Sequence, residues 1–441
     1  MKEIDTIIHA RWIVPIEPDE IIHEHYCVAL HEGKIVGLLP STEATSLFTP
    51  RVTIKLDQHA LIPGLVNTHT HAAMSLFRGL ADDLPLMDWL TRHIWPAEGT
   101  WVNSEFVYDG TQLAIVEMIR SGTTCFNDMY FFPNEAARAA SHAGIRAVLG
   151  LILIDFPTAW ASDADEYLEK GLALQDHYRN DSLISTAFAP HAPYTVSDSP
   201  LSRVQTLADE LDIPIHMHVH ETAHEIETSN EQYRMRPIKR LEQIGLLSPR
   251  LIAVHMTQLT DKDIDLLAAT GCNVIHCPES NLKLASGYCP VARLIDAGIN
   301  VALGTDGAAS NNDLDMFGEL KTAALLAKAV ANNASAVPAS TALRMATLNG
   351  AQALGLGDET GSISVGKAAD LVAVDLGGLD CQPVYNPVSH LVYAITREKV
   401  TDVWIGGKHV LKNRVLTTMD EHRIKAKSIE WQQKIANSDQ Q

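Results

Sequence analysis

The sequence predicts an α/β protein, a (β/α)8 TIM-like barrel with a small β-sandwich domain formed from both termini. From about residue 60 to 310, eight short apolar runs alternate with longer helix-like segments, and that count over that length suits a closed barrel. Several runs are rich in Val and Ile and nearly continuous in apolar residues, as parallel strands buried on both faces require. The flanks read differently, with short strands, turn signals and no intervening helices. An open doubly wound sheet is the competing arrangement for the central alternation.

Taken in order, residues 1–60 supply the first part of the sandwich. Thr6–Val14, Tyr26–Leu30, Lys34–Leu38 and Val52–Leu56 read as strands, with Gly33 as a turn residue. The barrel is expected over 61–361. Its strand runs are Leu61–His69, Thr123–Asp128, Ile145–Leu153, Ile184–Pro190, Ile213–Val219, Leu251–Thr257, Cys272–Cys277 and Ile299–Asp306. Pro200–Leu211 and Thr260–Thr270 typify the helical patterns between them. Residues 362–441 complete the sandwich through Asp370–Asp375, Val400–Ile405 and Lys408–Leu411, with Gly406-Gly407 as a turn signal. A polar terminal helix is expected over 418–437.

Composition narrows the function classes. The 441 residues are 46% hydrophobic and 20% charged, as in a globular protein with a large core. A formal net charge of −20 argues against nucleic acid or anionic membrane as partners, since both need basic patches. The six cysteines form no CxxC pair and read as free thiols in a reducing compartment. The segment Met1–Asp5 is too polar for a signal peptide, and no apolar run reaches the roughly 18 residues of a membrane span. A cytoplasmic location is expected.

Active sites of such barrels lie at the C-terminal rim of the strands. There the first run ends in Asn67-Thr68-His69-Thr70-His71, and alternation of side chains along a strand turns both histidines the same way. The fifth run ends in His216-Met217-His218-Val219-His220-Glu221. Its three histidines share a face, so periodicity alone does not choose among them. His255 closes the sixth run and Thr305-Asp306 the eighth. These nitrogen and carboxylate donors suit zinc. The cytidine-type deaminases are set aside, because they need a Pro-Cys-x-x-Cys pair that does not occur here.

Several motifs carry a wider likeness: Pro63-Gly64-x-x-Asn67-x-His69-x-His71, His218-x-x-Glu221, His255, His276-Cys277-Pro278-x-Ser280-Asn281, Thr305-Asp306 and Gly366-Lys367-x-Ala369-Asp370-Leu371. Through them, and over nearly all its length, the chain resembles the metal-dependent amidohydrolase superfamily. Within it the likeness is closest to the 5′-methylthioadenosine/S-adenosylhomocysteine deaminases. The resemblance implies that His69, His71, His218 and Asp306 hold one Zn²⁺, that Glu221 shuttles protons, and that His255 orients and polarises the attacking water. Zinc would lower the pKa of that water from about 15.7 towards 7–9, giving hydroxide that attacks C6 of adenine while Asp306 takes a proton. Glu221 would protonate ring N1, and ammonia would leave. Two-metal relatives use a lysine at the end of the fourth strand. Here Ser185–His191 contains none, so a single metal is expected, with iron or manganese also compatible with the donors.

The same likeness points to substrate contacts. His191, in Ala189-Pro190-His191, would face the nucleoside, and Glu98 would hold both ribose hydroxyls. A carboxylate accepts two O–H bonds at once, which suits a cis-diol. Trp95 and the apolar Leu84, Leu86, Met87 and Trp89 would line the pocket near a 5′-alkylthio group. Family members that use S-adenosylhomocysteine carry arginines on and after the third strand for its carboxylate. From Ala147 to Glu169 this chain has no Arg or Lys before Lys170. 5′-Methylthioadenosine is therefore the expected preference, with S-adenosylhomocysteine and adenosine weaker, unless Arg234 or Arg236 supplies the cation. A guanine, cytosine or triazine aminohydrolase is the alternative on the same metal site. A barrel without activity is the alternative of another class, and metal content would separate it. Family habit allows a homo-oligomer. The roles of His216, His220 and His276 stay open.

Overall fold

The computed structural model describes residues 1–438. The N-terminal flank forms β1 (Lys2–Ile13), β2 (His23–His31), β3 (Lys34–Pro40) and β4 (Phe48–Pro63). Next come the central strands β5 (Leu65–Thr70), β6 (Thr123–Asp128), β7 (Arg146–Leu153), β8 (Ile184–Pro190), β9 (Ile215–Val219), β10 (Leu251–His255), β11 (Asn273–His276) and β12 (Val301–Leu303). The C-terminal flank adds β13 (Leu371–Asp375), β14 (Val400–Ile405), β15 (Lys408–Lys412) and β16 (Val415–Leu416).

Strands β5 to β12 pair in sequence order, each parallel to the next. The two ends of this sheet meet through Asp306 N–H donating to His69 O at 3.0 Å and Thr68 Oγ1 donating to Leu303 O at 2.6 Å. Every residue of β5, β6 and β7 is buried, which is why β7 reads as a nearly continuous apolar run rather than an alternating one. Helices cover the outside. One of them, Asp261–Thr270, shows how local sequence sets its ends. Thr260 and Asp263 form a reciprocal capping box at its start, and Gly271 closes it at φ +70°.

The flanking strands make one mixed eight-stranded sheet in the order β16-β15-β14-β13-β4-β1-β2-β3. It curls over a core containing Ile8, Val28, Ile35, Leu56, Leu371 and Trp404. Ile35 N–H donates to Lys367 O and Ala369 N–H to Gly33 O, both at 2.9 Å, so β3 meets the segment leading into β13. The run Leu61–His69 is divided between the two sheets. Leu61–Pro63 pair with β13, and β5 starts after Gly64. A Cβ on Gly64 would lie 1.8 Å from Thr124 Oγ1, so only glycine passes this junction.

The last helix, Glu421–Ser438, returns to the barrel. Trp431 packs on Phe106 with ring centroids 5.2 Å apart and donates Nε1–H to Asp109 at 3.0 Å. All six cysteines are buried and unpaired. Among the described residues no helix is long and apolar enough to cross a membrane.

Candidate metal centre and substrate cleft

The strand ends bring His69, His71, His218, His255 and Asp306 together. Asp306 Oδ1 lies 3.3 Å from His69 Nε2 and 3.2 Å from His71 Nε2. His218 Nε2 lies 3.2 Å from His69 Nε2. The ligand atoms of His69, His71 and Asp306 fall within 4.8 Å of one another, as do those of His69, His218 and His255. Asn67 locks β5 to β12 beneath them: its amide donates to Thr305 Oγ1 at 2.8 Å, and its carbonyl accepts from Thr305 N at 3.0 Å.

Hydrogen bonds behind the rings decide which nitrogen each presents. His71 Nδ1 donates to Met129 O at 2.6 Å and His218 Nδ1 to His191 O at 2.7 Å. A carbonyl only accepts, so both Nε2 atoms face inward with bare lone pairs. His255 Nδ1 lies 2.9 Å from Asn281 Oδ1, which turns its Nε2 inward as well. His69 Nδ1 lies 2.8 Å from His216 Nε2. His216 therefore stands behind the cluster rather than in it.

These donors fit a divalent metal. A bare imidazole nitrogen facing a carboxylate oxygen at 3.2 Å is repulsive unless a proton or cation lies between them. Burial lowers the His71 pKa, yet Asp306 raises it to about 9, a measure of how strongly this point favours positive charge. Burial would raise the Asp306 carboxyl, but the two imidazoles hold it well below its usual range. Three nitrogens and one carboxylate make a donor set that zinc accepts.

The rim backbone is bent to aim these groups. His220, His255 and Asp306 have φ of +55°, +75° and +65°, a region that non-glycine residues enter at a cost of about 1–3 kcal/mol. Compensation at the fifth strand is visible. Glu225 accepts from the His220 and Glu221 N–H groups at 3.0 and 2.7 Å, and Thr257 Oγ1 donates to Glu221 O at 2.6 Å. This aims Glu221 into the site, its Oε2 3.9 Å from His255 Nε2. Burial pushes the Glu221 carboxyl above its ordinary value, against the pull of His255. The His220 ring points elsewhere and accepts from Ile238 N at 3.1 Å. His276 is buried, and its Nδ1 has no hydrogen-bond partner among the described residues.

A cleft opens over the cluster. Glu98, from the helix Trp95–Trp101, and His191, just after β8, both line it. Glu98 accepts a hydrogen bond from Tyr130 OH at 2.8 Å. Burial pushes its carboxyl up to about 7, with the phenol pulling the other way. Burial lowers the His191 pKa to about 3, and its Nδ1 lies 2.9 Å from Thr195 Oγ1. Leu86, Trp89, Trp95 and Phe156 form an apolar wall; Leu84 and Met87 are not part of it. None of the lining residues is Arg or Lys. Arg236 is instead held by Asp263 at 2.8 Å and by Gln258 O, and Arg234 caps a helix outside the lining. Tyr130 and Met129 are the site residues that sequence reasoning missed. Their only signal is their place immediately after the second barrel strand.

Comparison with known proteins places this geometry. Residues 60–410 match the model of the amidohydrolase family. The chain is 52% identical to a 5-methylthioadenosine/S-adenosylhomocysteine deaminase of Saccharophagus degradans, over 98% of this chain and 97% of that one. It is 55% identical to a solved adenosine deaminase from Xanthomonas campestris with bound zinc, covering 99% of each chain with a TM-score of 0.98. An atrazine chlorohydrolase from Arthrobacter aurescens shares the fold at 22% identity and a TM-score of 0.91, over 97% of this chain and 99% of its own. A strand-end cluster of His and Asp donors in a parallel barrel, together with a family match over most of the sequence, identifies the chain as a member of the amidohydrolase family.

Proposed function

We propose that this protein is a zinc-dependent hydrolytic deaminase of adenine nucleosides, converting 5′-methylthioadenosine to 5′-methylthioinosine and ammonia. The observation that carries the reading is the cleft: a carboxylate, Glu98, and an imidazole, His191, face the metal cluster beside an apolar wall with no cationic side chain. The deaminase names of relatives near 50% identity support it, and zinc in the Xanthomonas structure supports the metal.

His69, His71, His218 and Asp306 would hold one zinc ion, with His255 beside them. Bound there, zinc lowers the pKa of water and polarises it for attack. The chain's own groups do the rest. His255, fixed by Asn281, presents Nε2 to the attacking water and orients it. Asp306 accepts a proton from that water as its oxygen reaches C6. Glu221, whose carboxyl burial pushes above its ordinary value, donates a proton to ring N1, so charge does not build on the purine as C6 becomes tetrahedral. The proton taken up by Asp306 then passes to the exocyclic amine, which departs as ammonia, while the hydroxyl proton left on the C6 oxygen returns to Glu221 as the carbonyl forms. Glu98 accepts both ribose hydroxyls, a match that a free base lacks. The apolar wall suits a methylthio group, while the carboxylate of S-adenosylhomocysteine meets no Arg or Lys among the lining side chains.

A substrate panel tests this reading on the zinc-loaded protein, by ammonia release and kcat/KM. 5′-Methylthioadenosine should lead S-adenosylhomocysteine by tenfold or more, with adenosine below it and guanine and cytosine inert. Activity on a free base alone would leave the metal site standing and overturn the pocket.

A further inference from the structure

We infer that Tyr130 is a positioning residue for ribose recognition, tying the diol-binding carboxylate of Glu98 to the strand that also orients the metal-facing His71. The inference rests on the reading of Glu98 above and extends it to a residue outside that reading. Tyr130 is 4% exposed, and its hydroxyl is 2.8 Å from Glu98 Oε1. The preceding residue supplies the Met129 carbonyl that accepts from His71 Nδ1, at 2.6 Å. Met129 is itself anchored, its N–H donating to Thr70 O at 3.0 Å. One dipeptide at the end of β6 therefore holds both the ring that faces the metal and the carboxylate that faces the sugar.

The need for such a tether follows from where Glu98 sits. It lies on a seven-residue helix with no buried residue of its own, on a long excursion between β5 and β6. A glutamate there has three free torsions, and fixing them on substrate binding costs side-chain conformational entropy. The phenol occupies one carboxylate oxygen and restrains those torsions beforehand. The second oxygen and the remaining lone pairs stay available to a cis-diol. A donated hydrogen bond also favours the ionised carboxylate, the form that accepts two hydroxyls. Burial works against that form in this cleft, so the phenol and the burial oppose each other at Glu98.

The test compares 5′-methylthioadenosine with its 2′,3′-dideoxy analogue in wild type, Tyr130→Phe, Glu98→Gln and the double variant. Tyr130→Phe should raise KM for the diol substrate about tenfold with kcat within twofold, and should leave the dideoxy analogue unchanged. The ratio of kcat/KM between the two substrates should fall equally in the double variant and in Glu98→Gln, because the tyrosine acts only through the glutamate. Equal losses on both substrates, or loss of folding in Tyr130→Phe, would assign Tyr130 to packing and overturn the inference. An unchanged KM would also overturn it while leaving the proposed reaction intact. A wild-type protein that deaminates no diol nucleoside would remove the reaction and the inference together.

Discussion

Ser280 Oγ donates to Asp306 Oδ2 over 2.6 Å, leaving Oδ1 of the same carboxylate to face His69 and His71 at 3.3 and 3.2 Å. The hydroxyl sets which oxygen turns towards the histidines. Partners of this kind tune metal affinity by about 10–100-fold. Ser280→Ala should therefore weaken zinc binding by that factor in a chelator competition, and lower the stability of the zinc-loaded protein in step, by about 1.4–2.7 kcal/mol at equal free zinc.

Zinc should bind at one equivalent per chain. Chelation should abolish deamination and lower the melting temperature, and stoichiometric zinc should restore both, because a ligand bound only by the folded state stabilises it. Elemental analysis showing two metals per active chain would reject the single-site arrangement.

Glu221→Gln keeps the side chain's shape and removes its acid. With zinc content normal, kcat should fall by about 10²–10⁴, the usual contribution of a general acid–base group. Full activity in a zinc-replete variant would refute the shuttle role.

Phe156 lies at the mouth of the cleft, 41% exposed, with its ring centroid 6.3 Å from that of Trp95. Phe156→Arg places a cation on an otherwise apolar wall. It should raise kcat/KM for S-adenosylhomocysteine relative to 5′-methylthioadenosine by about tenfold, the value of roughly 1.4 kcal/mol from a charge-assisted contact. An unchanged ratio would show that the 5′ substituent points elsewhere.

Burial lowers the pKa of His220 to about 4 and of His276 to about 3. Between those values and the ordinary histidine value of 6.5, the unfolded chain binds protons that the folded one does not, so stability rises with pH across this window and falls as pH drops below 6.5. The metal-free protein should lose denaturant resistance steadily from pH 7 to 5, by about 1–2 kcal/mol per histidine. His276→Gln should flatten that slope, as urea titrations at the two pH values would show.

The barrel was legible because its signal is local. Runs such as Ile145–Leu153 and Leu251–Thr257 are nearly continuous in apolar residues, and strands covered on both faces need no other pattern. The junction at Leu61–Pro63 was not legible as a boundary. Those residues are as apolar as the strand that follows, and only pairing with β13 assigns them to the flanking sheet. Of the apolar group before Glu98, Leu86 and Trp89 reach the cleft while Leu84 and Met87 do not, a matter of helix orientation that composition does not record.

From its sequence alone this protein could be read as a barrel with His and Asp at four strand ends, since side-chain alternation and burial are properties of short stretches of backbone. Which nitrogen each imidazole presents, which of His216, His218 and His220 faces the cluster, and that Tyr130 meets Glu98 were decided only by tertiary structure. Those outcomes depend on partners far away in the chain. Met129 lies 58 residues from His71 and Thr305 lies 238 from Asn67. Ring orientation is set by the hydrogen bond on the opposite nitrogen, and that bond exists only once the barrel has closed.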